Sequence, residues 1–478
     1  MNRWRLMILA GVMATVMLAS GRSATAGSYW PTDGSSAKDF SIVKAGGLWH
    51  LIGIHEPGDP PPPAGPGSAG LVHSTSPDLA HWTDVGVAIP VGPTGAWDSY
   101  DAWAPSIVKS GDTYYLYYAG VQRQGSQLAQ KVGLATSTNL TTWTKDPGNP
   151  VFDCSQTAWQ YWNLNDADGL GTDCRDPFVI RDESNNRWVM MYNGRARSDV
   201  PEIQNSPLWL PPNPAIVGLA TSTDLTHWTD AGYVLATAGY KTESPHAFQH
   251  NGAWYLAWTN NCSAWRGGTK CLKVATASSL TGPYSGYDDL PAAGNLEFAS
   301  EYFTDGATEY FGRVGQYGGW LDFDLVDWSS GSFGLQSMTY GTILGAVWND
   351  LDRNGLEGPD EPGIDRVKLR FYLDDGDGAF DRTKDYFLGW NMTSNRRRLT
   401  ILMHGTYQQN SMPPGRIWVE IDPANFDPGG YLTGLVSTTG DTVASIDIVD
   451  GSTVIGKSFG FAPPDTTPPA AVTDLQAR

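Results

Sequence analysis

The sequence predicts an all-β chain, a five-bladed β-propeller followed by a β-sandwich module, and three observations predict it. One stretch of sequence recurs five times between residues 39 and 328. Each copy holds four strand-length runs separated by turn residues. Near Gly341 the repeat stops and a different strand-rich pattern takes over. The two clearest copies, Val132–Thr144 and Val217–Thr229, share Val-Gly-Leu-Ala-Thr-Ser-Thr, then Asn or Asp, then Leu-Thr and a Trp two residues on. Looser copies lie at Leu71–Thr83 and Lys273–Leu280, and a worn one ends Asp324–Trp328. Such self-similarity marks a repeat architecture, and four-stranded units arranged radially leave only short edges exposed.

Blade two shows the grammar. Trp103–Lys109 is an inner strand, Tyr114–Ala119 a second, Val132–Thr136 a third, and the Leu140–Trp143 turn leads to a fourth. The other inner strands begin near Asp39, Asp176, Glu243 and Ser300; their second strands are Leu48–Ile54, Trp188–Tyr192, Trp254–Trp258 and Glu309–Val314. Gly46-Gly47, Gly111-Asp112, Asn185-Asn186 and Asn251-Gly252 supply tight turns. Trp82, Trp143 and Trp228 recur while the acids vary, so they read as packing between blades. Inserts at Pro57–Gly70, Phe152–Asp173 and Ala196–Pro214 break the period. The last two carry Trp159, Tyr161, Trp162 and Trp209, as loops rimming a cleft do.

At the N-terminus, Arg3 and Arg5 precede an apolar run from Leu6 to Ala19, and Ala24-Thr25-Ala26 offers a small-residue cleavage site. Residues 1–26 therefore read as a secretory signal peptide, ahead of a propeller over 27–338. No later stretch approaches the ~20 apolar residues of a spanning helix, so an exported chain without a membrane span is expected, extracellular or at a cell surface. Cysteines Cys154, Cys174, Cys262 and Cys271 form two sequence-local couples, and disulfides Cys154–Cys174 and Cys262–Cys271 are expected, one of three possible connectivities. Zinc is disfavoured, because there is no Cys-x-x-Cys and no His cluster at ligand spacing.

A net charge of −19 argues against a polyanionic partner such as nucleic acid, which needs a basic stripe. Twenty Trp and 21 Tyr suit a β-rich protein whose aromatic faces mostly fill the core and can also stack on sugars. No organic cofactor is expected.

The second domain is placed at 341–462. Within it Asp350, Asp352, Asn354 and Gly355, followed by Glu361, match the spacing of a calcium loop. Oxygens at alternate residues wrap a hard cation, Gly permits the turn, and the final carboxylate binds through both oxygens. Asp350, Asp352, Asn354 and Glu361 are therefore the expected Ca2+ ligands. A second group, Asp375, Asp377, Asp381 and Asp385, lacks the full spacing and reads equally as an acidic turn or a second ion site. Val367–Leu373, Ile417–Ile421 and Ser445–Ile448 look like strands, so the loop sits in a β-sandwich. The segment resembles the B-type repeats of bacterial surface proteins, with Trp348-Asn349-Asp350-Leu351-Asp352 opening the domain and Met412-Pro413-Pro414-Gly415 before a late strand. We read it as an ion-stiffened spacer rather than a binding module, compatible with cell-surface or multidomain association. Residues 463–478 form a proline-rich linker and a start, Ala470–Leu475, that resembles a fibronectin type III domain.

Function resides where the repeats differ. Three inner strands carry acids, in Asp39-Phe40-Ser41-Ile42-Val43, Arg175-Asp176-Pro177-Phe178 and Glu243-Ser244-Pro245, while blade two has Trp103-Ala104-Pro105. Cleaving an acetal requires one carboxyl to protonate the leaving oxygen and an ionised one to direct water or attack the anomeric carbon. Glu243 is the expected general acid, its pKa raised by burial and neighbouring carboxylates. Asp39 is the base or nucleophile, and Asp176 supplies charge and contacts to sugar hydroxyls. Asp33 is the alternative to Asp39, and each acid has a bland reading as a turn or strand-start residue. Trp103 is a candidate to stack on a sugar, Arg175 to bond hydroxyls or hold Asp176, and His246 and Glu301 to line the far wall; scaffold roles are the alternative for each.

On these residues the propeller, from 39 to about 330, resembles the five-bladed glycoside hydrolases, family 43 first and family 32 behind it. The resemblance implies the same division of labour among the three acids. It also implies a secreted glycosidase acting on arabinofuranosyl, xylosyl or related bonds, with fructan hydrolysis as the alternative. Outside the enzymes, the rival is a glycan-binding or adhesive propeller, against which the retention of all three acids counts. Two departures stand out: Asp39 precedes Phe40 where family 43 more often has Pro, and Ser244 follows Glu243 where the two families carry Gly or Cys. Inverting and retaining outcomes both stay open.

Overall fold

The computed structural model describes residues 27–465 apart from 30, 32–35, 57–69, 126, 167–170, 205–212, 238–240, 262–269, 290–298, 315–319, 338–339, 395–396, 399–400, 403, 450 and 456–457. The leader, Asp33, Trp209, Cys262 and the fibronectin-like tail lie outside the described residues. The chain is all-β, a five-bladed propeller followed by a two-sheet sandwich. Blade one is Ser36–Ala45, Leu48–Glu56, Gly70–Ser76 and Thr83–Pro90; blade two is Asp101–Ser110, Thr113–Gln124, Gln127–Ser137 and Thr144–Lys145. Blade three is Arg175–Asp182, Arg187–Arg195, Ala215–Ser222 and Thr229–Thr237, and blade four is Glu243–His250, Ala253–Asn261, Lys270–Ala277 and Ser285–Asp289. Blade five, Glu301–Asp305, Thr308–Val314 and Leu321–Asp327, is completed on one edge by Gly27–Tyr29 and Gly334–Gln336. The first described strand thus pairs with the last blade and ties the ring shut, a closure that repeat counting did not anticipate.

Apolar clusters fill the wedges between neighbouring blades. Ile52 and Leu71 of blade one meet Ile107 and Leu116 of blade two, Leu134 meets Met190, Met191 meets Leu256, and Phe248 meets Phe311. Trp143 and Trp228 pack against the second-blade cores, as their recurrence suggested.

The repeated motif itself builds a corner of the blade. Ser76 Oγ accepts the amides of Asp78 and Leu79 at 3.2 and 2.9 Å, and Asp78 Oδ1 accepts those of Ala80 and His81 at 3.0 and 2.9 Å. Ser137 with Asn139 and Ser222 with Asp224 repeat the pattern. Side-chain oxygens thereby replace the strand ladder at the turn. They also hold Leu79, Leu140 and Leu225 in left-handed backbone, at φ 68°, 65° and 70°. Trp82 Nε1 then donates to Leu79 O at 3.1 Å and to Ser28 O of the closing strand at 2.9 Å.

The sandwich stacks Thr406–Met412, Gly341–Asn349, Phe459–Ala462 and Val436–Ser437 on Tyr386–Met392, Lys368–Leu373, Gly415–Ile421 and Val443–Ile448. Val347, Phe371, Val419 and Phe461 are fully buried between the sheets. This core is continuous with the wedge between blades five and one, which contains Trp82, Tyr29 and Phe323. Gly376 lies against the His81 ring, and Tyr386 hydrogen-bonds to the backbone of Trp82.

Trp82, 3% exposed, therefore joins the corner of blade one, the closing strand and the module. We expect Trp82→Ala to cost about 3–5 kcal/mol in urea unfolding. A loss below about 1 kcal/mol, the size of one ordinary hydrogen bond, would remove this residue from that role.

Candidate active site

Each inner strand carries one residue in left-handed backbone near its start: Asp39 (φ 41°), Ala104 (45°), Asp176 (57°), Ser244 (48°) and, just before the fifth strand, Ala299 (57°). In blades one to four the ladder slips at that point, between Lys38 and Phe40, Trp103 and Ser106, Arg175 and Phe178, and Glu243 and His246. A bulge of this kind bends a strand and re-aims a side chain, here towards the central channel. Asp39 and Asp176 are structural equivalents, whereas Glu243 stands one residue earlier, level with Trp103 and Arg175. The channel narrows to a cavity of about 30 Å³ lined by Asp39, Asp176, Ser244, His246 and Glu301 among others.

The aspartates of blades one and three meet at Ser244. Its hydroxyl donates to Asp39 Oδ1 at 3.0 Å and its amide to Asp176 Oδ2 at 3.0 Å. Glu243, the preceding residue, takes two cations on one oxygen: Arg175 Nη2 at 3.0 Å and Lys241 Nζ at 2.7 Å from Oε1. Arg175 is 8% exposed and is held by Asp173 at 2.5 Å and Gln130 at 3.3 Å. With its amide oxygen turned towards the guanidinium, Asn193 accepts from Arg175 at 3.1 and 3.0 Å and donates to Thr242 Oγ1. Asp173 also binds Arg195 at 3.1 Å. The expected disulfide Cys154–Cys174 is present and ends next to Arg175; Cys271 is disulfide-bonded as well.

Burial opposes the charge of Arg175, but Asp173, Asp176 and Glu243 outweigh it and raise its pKa further. Asp176 is pushed up to about 7, chiefly by burial and then by the charges of Asp39 and Glu243, against the pull of Arg175 and the Ser244 amide. Burial lifts Glu301 to about 8 despite hydrogen bonds from Ser41 and the Ile42 amide. His246, 2% exposed, is lowered to about 4 by burial. It packs among Phe178, Phe248 and Phe311, with Nδ1 3.5 Å from Ser244 O.

Asp39, Asp176, Glu243, Arg175 and His246 thus come together. Trp103 does not join the cavity lining; it is partly buried against the core between blades one and two. Ser244, Lys241, Asn193 and Asp173 complete the site; Ser244 stood out in the sequence only as a departure from the family pattern, and the other three were not singled out. Ser244, Lys241 and Asp173 lie within two or three residues of a candidate acid or of Arg175, a signal proximity could have used. Asn193 enters from the second strand of blade three and had none.

In the sandwich, Asp350, Asp352 and Glu361 offer oxygens within 4.8 Å of one another. Gly355 turns with φ 74°, its amide donating to Asp350 Oδ2 at 2.9 Å. Asn354 Nδ2 donates to Asp352 Oδ2 at 2.7 Å, and Glu361 accepts the amides of Leu351 and Gly358 at 2.7 Å. This donor set suits a hard cation. A second group joins Asp374, Asp375 and Asp385. Asp375 and Asp385 come from the degenerate cluster in the sequence, and Asp377 and Asp381 are not part of this group.

Because the folded chain keeps Glu301 protonated to about pH 8 whereas an unfolded chain releases that proton near 4.5, the native state binds more protons in between. Stability from this group is present below about pH 4.5 and is lost as pH rises towards 8. Glu301→Gln should flatten that decline, measured as urea midpoint against pH. An unchanged slope would mean that Glu301 does not hold the proton.

Residues 66–301 match the family model "Glycosyl hydrolases family 43", a stretch that begins after Asp39 and contains Asp176 and Glu243. The chain is 30% identical over 235 residues to a levanase of Bacillus sp. (strain L7), covering 46% of this chain and 21% of that protein. It is 41% identical over 92 residues to a probable arabinan endo-1,5-alpha-L-arabinosidase A of Aspergillus flavus, covering 19% and 27%. It therefore spans only about a fifth to a quarter of the length of these relatives. Among solved structures, a GH32 beta-fructofuranosidase of Bombyx mori is similar at 15% identity and TM-score 0.48, with 89% of each chain covered. An alpha-L-arabinanase of Cellvibrio cellulosa complexed with arabinohexaose is similar at 18% identity and TM-score 0.44, with 63% and 95% covered. Glycosyl hydrolases family 43 is thus the family whose model most of the propeller matches.

Proposed function

We propose that the chain is a secreted glycosidase that hydrolyses furanosyl or xylosyl bonds of poly- or oligosaccharides. The observation that carries this reading is the convergence of acids from three blades: Ser244 joins Asp39 to Asp176 and directly follows Glu243. Glu243 protonates the leaving oxygen as the glycosidic bond breaks. Asp39 either removes a proton from the attacking water or attacks the anomeric carbon itself. Asp176, its pKa raised by burial, can donate to or accept from a sugar hydroxyl. Arg175 and Lys241 hold the Glu243 carboxyl in place, and as cations they favour its ionised form, against the raised pKa expected from the sequence. Similarity to the arabinan-acting relative supports arabinofuranosyl bonds. The longer overlap with the levanase favours fructosyl bonds as the second reading.

Wild type, Glu243→Gln and Asp39→Asn should be compared on arabinofuranosides, xylosides and fructans, with the product anomer followed by NMR. Loss of the acid should lower kcat/KM by ~10²–10⁴ on alkyl leaving groups and far less on nitrophenyl ones, which depart without a proton. Loss of Asp39 should be severe on both. Equal turnover by Glu243→Gln on every substrate would remove Glu243 as the acid.

We further propose that Asp350, Asp352, Asn354 and Glu361 bind Ca2+ and stiffen the module. Chelation should lower the melting temperature of the full-length protein, and Asp350→Ala should abolish that sensitivity. Identical melting with and without chelator would contradict the assignment.

A further inference from the structure

Ser244 stands in backbone that favours glycine, φ 48°, yet it carries a hydroxyl aimed at a candidate catalytic carboxylate. Its hydroxyl and amide fasten Asp39 of blade one and Asp176 of blade three, each at 3.0 Å. Its own backbone is continuous with Glu243 of blade four. A left-handed residue normally persists only where the surroundings over-determine it, and such residues gather at functional sites.

We propose that Ser244 is a positioning residue, fixing the Asp39 carboxylate relative to Asp176 and Glu243 and holding it ionised for its role as base or nucleophile. The inference rests on the glycosidase reading and deepens it. Asp39 shares the cavity with Asp176 of blade three, His246 of blade four and Glu301 of blade five, and Arg175 and Glu243 act on Asp176 beside it. Blade two contributes Ala104, Pro105 and Ser106 to the cavity, none of them titratable. Charges on Asp39 and Asp176 oppose each other. The Ser244 hydroxyl offsets that repulsion, because hydrogen bonding to the charged form favours it.

Two substitutions separate the hydroxyl from the backbone. Ser244→Ala keeps the side-chain carbon, while Ser244→Gly suits the left-handed turn and should melt at or above the wild-type temperature. Both should lower kcat by ~10–100-fold, the scale of one hydrogen bond to a charged group, with KM changed much less. Both should also move the acid limb of the kcat/KM profile upward by about one pH unit. Wild-type kcat and an unmoved acid limb in both variants would overturn the proposal. If the wild type cleaves none of the glycosides, the glycosidase reading fails on its own. Carbon-13 carboxyl titration, with the Asp39 signal assigned through Asp39→Asn, then still decides: an upward midpoint shift in Ser244→Ala supports the proposal and an unchanged midpoint overturns it.

Discussion

Arg175 sets the charge balance on which the channel depends, because burying carboxylates without a cation costs several kcal/mol for each charge. Its guanidinium touches Asp173 and Glu243 directly and stands 3.7 Å from Asp176. The Asn193 amide and Gln130 bind its remaining edges. One planar, permanently charged group can reach several acceptors in fixed directions, which lysine could not. The compensation is incomplete, and the remainder appears as the raised pKa of Asp176. A buried carboxyl pushed towards its protonated form beside other acids suits chemistry in which protons must move both on and off the substrate.

Backbone geometry then decides what each blade shows the channel. A left-handed residue at the head of an inner strand turns the side chain inward in blades one and three, giving Asp39 and Asp176. The same position in blades two and five is alanine, which leaves room rather than chemistry. In blade four it is Ser244, with the acid displaced by one residue. Five copies of one left-handed residue, four of them at a bulge, therefore produce an asymmetric site from a near-symmetric frame.

Much of this frame was legible in the sequence. The Ser-x-Asx-Leu turn and its Trp recur because each copy makes the same side-chain bonds to backbone amides, so periodicity and structure coincide. The acids stood out because they interrupt that periodicity. Positive φ at Asp39, Asp176 and Ser244 was not legible, since none is glycine and tertiary packing imposes it. Trp103 was singled out by its place in the blade-two inner strand, with a scaffold role as the alternative, and it packs partly buried against the core between blades one and two. Closure by Gly27–Tyr29 also escaped, because a three-residue strand carries no periodic signal. The module's strands were legible, but its shared core with blades five and one was not, since that contact joins residues more than 250 positions apart, such as Trp82 and Tyr386.

That shared core makes the sandwich a buttress of the ring's closing seam, where Trp82 meets the first strand. The chemistry remains the decisive matter, and it can be read in the atoms of the product. Hydrolysis of a furanosyl, xylosyl or fructosyl oligosaccharide in 18O-water, followed by mass spectrometry of the fragments, tests it most directly. The account predicts one heavy oxygen on the anomeric hydroxyl of the newly released reducing end and none on the leaving sugar. Label on the leaving sugar, or no cleavage of any of these substrates, would contradict it.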